Sequence, residues 1–178
     1  MKTRLRLSTL LAAVFCGGLA LAQEPIKPAE MSEKALLAKA RQLTQEEFEL
    51  SKIAVKQAGS EKVKQFAERA AKRGEELDAK LTELAAGAGV TEPRKISEPM
   101  QERLTAIEKL KGEAFDPDYL DMLIDMQGNN VLVLQELAKR ADDAKLREFA
   151  REAAATERTQ RSAAQKLAAP EVPHVKPE

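Results

Sequence analysis

Histidine, cysteine and tryptophan are almost missing from this chain: one histidine, one cysteine and no tryptophan in 178 residues. The single cysteine, Cys16, lies within an N-terminal apolar run that reads as a cleaved signal, so the mature chain contains none. That excludes a disulfide framework, a thiol nucleophile and a cysteine-bound metal. The one histidine, His174, falls in the Pro-rich tail AAPEVPHVKPE, and a lone imidazole on a loose segment makes a poor metal site. Aromatic residues make up 3% of the chain, too few to line an aromatic ligand pocket, whereas an Ala/Leu core between helices needs none. Long hydrophobic runs are missing too. The best of them, Leu7 to Ala22 with Gly17 and Gly18 inside it, falls short of the roughly 20 residues a spanning helix needs. Charge of one sign is also lacking: Lys+Arg and Asp+Glu each number 29. Without Lys2, Arg4 and Arg6 the balance is 26 against 29, a formal charge of −3 spread in interspersed signs, which excludes a nucleic-acid footprint.

The N-terminus carries the pattern of an export signal. Lys2, Arg4 and Arg6 precede the short apolar stretch, and Ala20-Leu21-Ala22 supplies the small-residue pattern for cleavage before Gln23. Phe15 precedes Cys16 where lipid attachment requires a small residue, so the expectation is a signal peptide over 1–22 and a periplasmic protein with no transmembrane segment after cleavage. The remaining 156 residues suit one domain with enough length to bury a core. Residues 23–30 read as a leader, 31–168 as a helical bundle domain and 169–178 as a disordered tail.

Phe115 to Arg140 is the most apolar helix candidate, and the other helices are expected to pack against it. Asp116 suits the role of N-cap and Pro117 that of a first helical position. Leu120, Leu123, Val131, Leu134 and Leu137 follow one stripe, interrupted by Gln127. A first helix, about Met31 to Gln57, turns inward Leu36, Ala40, Leu43, Glu47, Leu50 and Ala54. Gly59 reads as its left-handed terminator and Ser60 as the cap of a second helix reaching about Ala86, with Val63, Phe66, Ala70, Arg73 or Gly74, Leu77, Leu81 and Leu84 inward. Pro93 and Pro99 bracket a connection. Ser97 caps a short helix, about Glu98 to Lys111, ended by Gly112 and expected to cross the bundle end. Asp142 or Asp143 caps a last helix through about Leu167, with Leu146, Phe149, Ala153, Glu157 or Gln160, Ala164 and Leu167 inward. Two short turns and one long link give an all-α fold, an antiparallel four-helix bundle with one additional short connecting helix. Phe66 and Phe149 are expected between the helix pairs.

Each long helix breaks its apolar stripe, and in an antiparallel bundle Glu47, Arg73 with Gly74, Gln127, and Glu157 with Gln160 meet in one polar layer. Di-metal bundles place carboxylates and Glu-x-x-His motifs in such a layer, and this chain has no histidine to supply them. No metal ligand set, cofactor or catalytic constellation emerges. The expectation is a mutually satisfied layer that fixes helix register, with Glu47 paired to Arg73. Asp116, Asp118, Asp121 and Asp125 lack the loop spacing and glycine of an EF-hand calcium site.

The segments QEEFELSKIAVKQAGSEKVKQFAERAAKRG, GEAFDPDYLDMLIDMQ and AKLREFAREAAATERTQ resemble, in order and spacing, a bacterial exported family called domain of unknown function 4142. The likeness covers about residues 40 to 168. It is carried by Phe66-Ala67, by Phe115, Asp116, Tyr119, Leu120 and Asp121, and by Phe149-Ala150. The resemblance implies a ferritin-like bundle. It also implies a departure, because the family usually has Asp-His at Arg73-Gly74 and a histidine at each of Gln127 and Gln160, while Glu47 matches its acidic position. If the family histidines form a metal or proton-handling site, this member has lost it: amide oxygens are poor ligands for transition metals, and Arg73 repels a cation. Three function classes follow, in order: a non-enzymatic envelope protein that contacts an unknown protein partner or itself; a ferritin-like metal-binding protein or metalloenzyme; and a carrier of a lipid or apolar ligand lined by Met122, Leu123 and Met126.

Overall fold

The computed structural model describes residues 26–91 and 95–169. The expected signal peptide, with Ala20, Ala22 and Gln23, lies outside the described residues, as do Pro93 and His174. A 3-10 turn at Pro28–Glu30 leads into α1 (Glu33–Gln57), α2 (Glu61–Gly87), α3 (Glu98–Ile107), α4 (Phe115–Arg140) and α5 (Ala144–Ala168), with no strand among the described residues. Asp143 caps α5 as expected, accepting from Leu146 N at 2.7 Å. Ser32 does the same for α1, accepting from Ala35 N at 3.2 Å.

Asp116 departs from its expected role. Helix α4 begins at Phe115 behind Ala114, and the Asp116 carboxylate instead accepts from Gly59 N at 2.9 Å and Ser60 N at 2.8 Å. The Ser60 side chain makes no capping bond, so free N–H groups at the turn into α2 find their acceptor across space rather than along the chain. Gly59 is not left-handed either; Gly89 and Gly112 have φ of 70° and 62°. It is needed for room, because a Cβ there would lie 2.4 Å from the carbonyl carbon of Gly112. At this crossing Gly112 N donates to Gln57 O at 2.9 Å, which pins the α3–α4 connection to the end of α1.

The same connection corrects the expected path of the short helix, which ends at Ile107 rather than Lys111. Its N-cap Ser97 is held at Glu46, and Gln57 Nε2 donates to Glu108 O just past its other end. Glu46 and Gln57 are eleven residues apart on α1, about 16 Å of helix. Helix α3 therefore runs alongside α1 in the same direction instead of crossing the bundle end. It carries the chain back, so that α4 starts beside the α1–α2 turn and descends antiparallel to α1, and α5 returns. The pairs α1–α2, α1–α4 and α4–α5 pack closely, while α2 and α5 approach one another far less intimately.

Two apolar clusters fill the bundle. One joins Leu36, Leu43, Leu81, Leu134, Leu137 and Leu146; the other joins Leu50, Phe66, Met100, Phe115, Tyr119 and Leu123. Met122, Leu123 and Met126 are packed in the second cluster, and Met122 also lines an open cleft of about 510 Å³ with Ile107 and Leu110. Phe66 is 3% exposed, as expected, but Phe149 is only partly buried and sits at the edge of the first cluster, since it faces the loose α2–α5 side.

Phe66→Ala is expected to cost roughly 3–5 kcal/mol of unfolding free energy and Phe149→Ala clearly less, measured by urea denaturation. Equal losses would show that the α2–α5 side closes as tightly as the others. Gly59→Ala forces two backbones apart and is expected to cost about 1–3 kcal/mol in the same assay.

Candidate functional site

Between the two apolar clusters lies a polar layer to which all four long helices contribute. Glu47 from α1 is its centre, 5% exposed and flanked along its own helix by Leu43 and Leu50. From α4, Gln127 Nε2 donates to Glu47 Oε1 and Asn130 Nδ2 to Glu47 Oε2, each at 3.0 Å. From α2, the Arg73 guanidinium lies 3.6 Å from Glu47 Oε1, an ion pair rather than a hydrogen bond. From α5, Glu157, 1% exposed, hydrogen-bonds to Glu47.

Of the six residues expected in the layer, four converge: Glu47, Arg73, Gln127 and Glu157. Gln160 does not join them. It is only half-buried and no hydrogen bond ties it to the layer, because one turn beyond Glu157 helix α5 has turned that position toward the surface. Gly74 is buried but contributes room rather than chemistry; a Cβ there would come within 3.3 Å of Phe48 Cβ, so the glycine allows α1 and α2 to lie close. The expected mutual satisfaction also fails in part. Gln127 bonds to Glu47 and not to Gln160, and the buried Arg73 Nη2, Gln127 Oε1, Asn130 Oδ1 and Glu157 Oε2 have no hydrogen-bond partner.

Asn130, a member of the layer, is absent from the sequence expectations. It lies three residues after Gln127, so it shares the inward face of α4, and the single stripe followed through Gln127 and Val131 was too narrow to include it. Glu46 is also buried; it accepts from Ser97 N at 2.9 Å and Ser97 Oγ at 2.8 Å, anchoring the start of α3. Tyr119, fully buried and stacked on Phe115 at 5.7 Å between ring centroids, lies close enough to Glu47 and Arg73 to sense their charges. Burial raises its hydroxyl well above the ordinary tyrosine value.

The electrostatics follow from burial. Desolvation raises the Glu47 carboxyl, while Arg73 and the two amides counter it. Glu157 is pushed well above the usual carboxylate range, first by desolvation and then by the charge on Glu47. Two adjacent buried carboxyls cannot both ionise without high cost, so Glu157 keeps a proton and donates it in a hydrogen bond to Glu47. This donor set does not fit a transition metal. Both Glu47 oxygens already accept from amide N–H groups, and a guanidinium occupies the approach to Oε1. Among the described residues no three His, Cys, Asp or Glu side chains converge as metal ligands. What the layer does chemically is hold one proton and one negative charge between two carboxyl groups under an arginine.

A family model described as domain of unknown function (DUF4142) matches residues 19–167. No curated protein matches the chain. Among solved structures, the crystal structure of a conserved hypothetical protein, rv2844, from Mycobacterium tuberculosis superposes with a TM-score of 0.62 at 15% identity, covering 76% of this chain and 96% of that one. At that identity the likeness carries the helical fold alone.

The shared proton gives a signed pH dependence. A carboxyl whose folded pKa lies above its unfolded value of 4.5 binds more protons in the native state between the two. The stability it contributes is present in full below about pH 4.5 and is lost as pH rises through the raised Glu157 value. Glu157→Gln, neutral at every pH, is expected to flatten this decline in urea unfolding measured from about pH 4.5 to 8. An unchanged slope would place the proton elsewhere.

Proposed function

The chain belongs to the DUF4142 family, and from that membership we propose that it is a non-enzymatic, ferritin-like bundle of the bacterial cell envelope that works by contacting another protein or a second copy of itself. The observation that carries this reading is the saturation of Glu47. Its two oxygens are taken by Gln127 and Asn130 and its charge faces Arg73, so the most distinctive polar group of the protein is spent on holding α1, α2 and α4 in register. Buried polar groups used in this way specify which helices meet and in what alignment.

Export rests on the basic residues Lys2, Arg4 and Arg6 and on Ala20-Leu21-Ala22. The ferritin-like reading is supported by two antiparallel helix pairs joined through one long connection along the bundle. Among the described residues Leu132 is the one large apolar side chain that stands exposed, at 50%, so a partner would be met chiefly through charged helix faces. No helix of the described residues is long and apolar enough to cross a membrane.

Fractionation of the native host, N-terminal mass spectrometry and elemental analysis of the untagged protein test the reading together. The expected result is a periplasmic chain beginning at Gln23, with less than stoichiometric metal, that cross-links to a discrete partner or to itself. Stoichiometric iron, manganese or zinc would overturn the non-enzymatic reading and make Glu47 and Glu157 ligands. An unprocessed cytoplasmic chain would overturn the export.

A further inference from the structure

The loose side of the bundle carries unspent hydrogen-bonding groups. Between α2 and α5 lies an open cleft of about 240 Å³, below the roughly 300–1,000 Å³ of drug-sized ligand sites. It is therefore sized for a small molecule. Arg73 and Leu77 line it from α2, and Phe149, Ala153 and Glu157 from α5, at helical spacing on each side. Because the two helices are antiparallel, Arg73 and Glu157 share one end of the cleft. Phe149 lies eight residues, about 12 Å, toward the other end. The cleft thus has Arg73 and Glu157 at one end and Leu77 and Phe149 toward the other, with the exposed Glu76 and Glu152 along the rim beside that apolar part.

The polar end offers both a donor and an acceptor. The Arg73 side chain is 18% exposed, its Nη2 is buried without an acceptor, and its nearest anion, Glu47 Oε1, stands at 3.6 Å, beyond hydrogen-bonding distance. Glu157 is 1% exposed and its hydrogen bonding reaches only Glu47, so one of its two oxygens is left without a partner. Buried groups left in this state are costly, and a ligand that completes them recovers the loss. Two exposed carboxylates, Glu76 and Glu152, complete the lining.

We propose that the α2–α5 cleft binds a small zwitterion with an apolar body, the chemistry of a free apolar α-amino acid. Its carboxylate meets the Arg73 guanidinium, its ammonium meets Glu157 and the carboxylates of Glu76 and Glu152, and its side chain lies along Leu77, Ala153 and Phe149. A simple anion satisfies Arg73 but faces the carboxylates of Glu76 and Glu152 in the lining and the charge of Glu47 behind them. A simple amine satisfies the acids but leaves the guanidinium donors unused and adds a cation beside them. The zwitterion alone completes both ends. It also bridges the two helices that otherwise approach least, so binding ties the open side of the bundle together and raises stability. This inference is independent of the envelope role.

The test uses the full mature chain, with L-leucine as the probe and its two halves, 3-methylbutylamine and 4-methylpentanoate, as controls. Leucine is expected to raise the thermal unfolding midpoint in a concentration-dependent way and to titrate at one site per chain in calorimetry. Each half is expected to bind on the order of tenfold more weakly or worse. Thr156→Trp places a bulky ring in the cleft from an exposed position and leaves the buried layer intact, so it is expected to keep the helical circular dichroism spectrum and lose leucine binding. Arg73→Gln is expected to remove the preference for leucine over the amine. The proposal is overturned if leucine at about 10 mM, a concentration reaching even weak sites, shifts nothing. It is equally overturned if either half matches leucine, or if Thr156→Trp binds leucine like the wild type.

Discussion

A carboxylate set among leucines is stable only when hydrogen bonds and opposite charge surround it, and Glu47 imposes that demand on the middle of this bundle. Everything in the central layer answers it. Gln127 and Asn130 come from one helix and Arg73 from another, so satisfying one side chain sets the relative height and rotation of α1, α2 and α4 at once. The apolar clusters on either side supply burial, and the layer adds directional pairing to it. The layer divides the core into two halves and fixes how they are joined.

Meeting that demand leaves its neighbours unequal. Glu47 takes the available N–H groups, and Glu157, buried beside it, is left to keep a proton and to lean on Glu47. The Arg73 guanidinium pairs with Glu47 at 3.6 Å, and its Nη2 has no hydrogen-bond partner. Arg73 and Glu157 both line the cleft on the side where α2 and α5 stand apart. Two of the residues with a buried unsatisfied polar atom thus line an opening of the bundle. That coincidence links the energetics of the core to ligand chemistry at the surface.

At one end of the bundle a second constraint operates. The chain crosses itself where the α1–α2 turn meets the residues before α4, and only a glycine at 59 leaves room for the backbone at 112 and 113. Asp116 closes the crossing by accepting from Gly59 and Ser60. With Glu46 holding Ser97 at the other end of α3, the long connection is fastened along α1 over most of its length. The fastened α3 allows two helix pairs to be joined by a long link and still pack as neighbours.

Helix number, the inward stripes of α1 and α4, the Asp143 cap and the presence of a polar layer were legible in the sequence, because periodicity, capping and turn residues act over a few neighbouring positions. Glu47, Arg73, Gln127 and Glu157 stood out as polar breaks in apolar stripes, and they do meet. Asn130 and Glu46 did not stand out, since a one-residue-wide stripe misses the flanks of a broad buried face. The exclusion of Gln160, the partial exposure of Phe149, the direction of α3 and the partner of Asp116 were decided by tertiary structure alone. Each depends on which distant backbone or side chain stands opposite. A local pattern specifies that a face is buried or a cap is needed, but not which group across the fold will fill it.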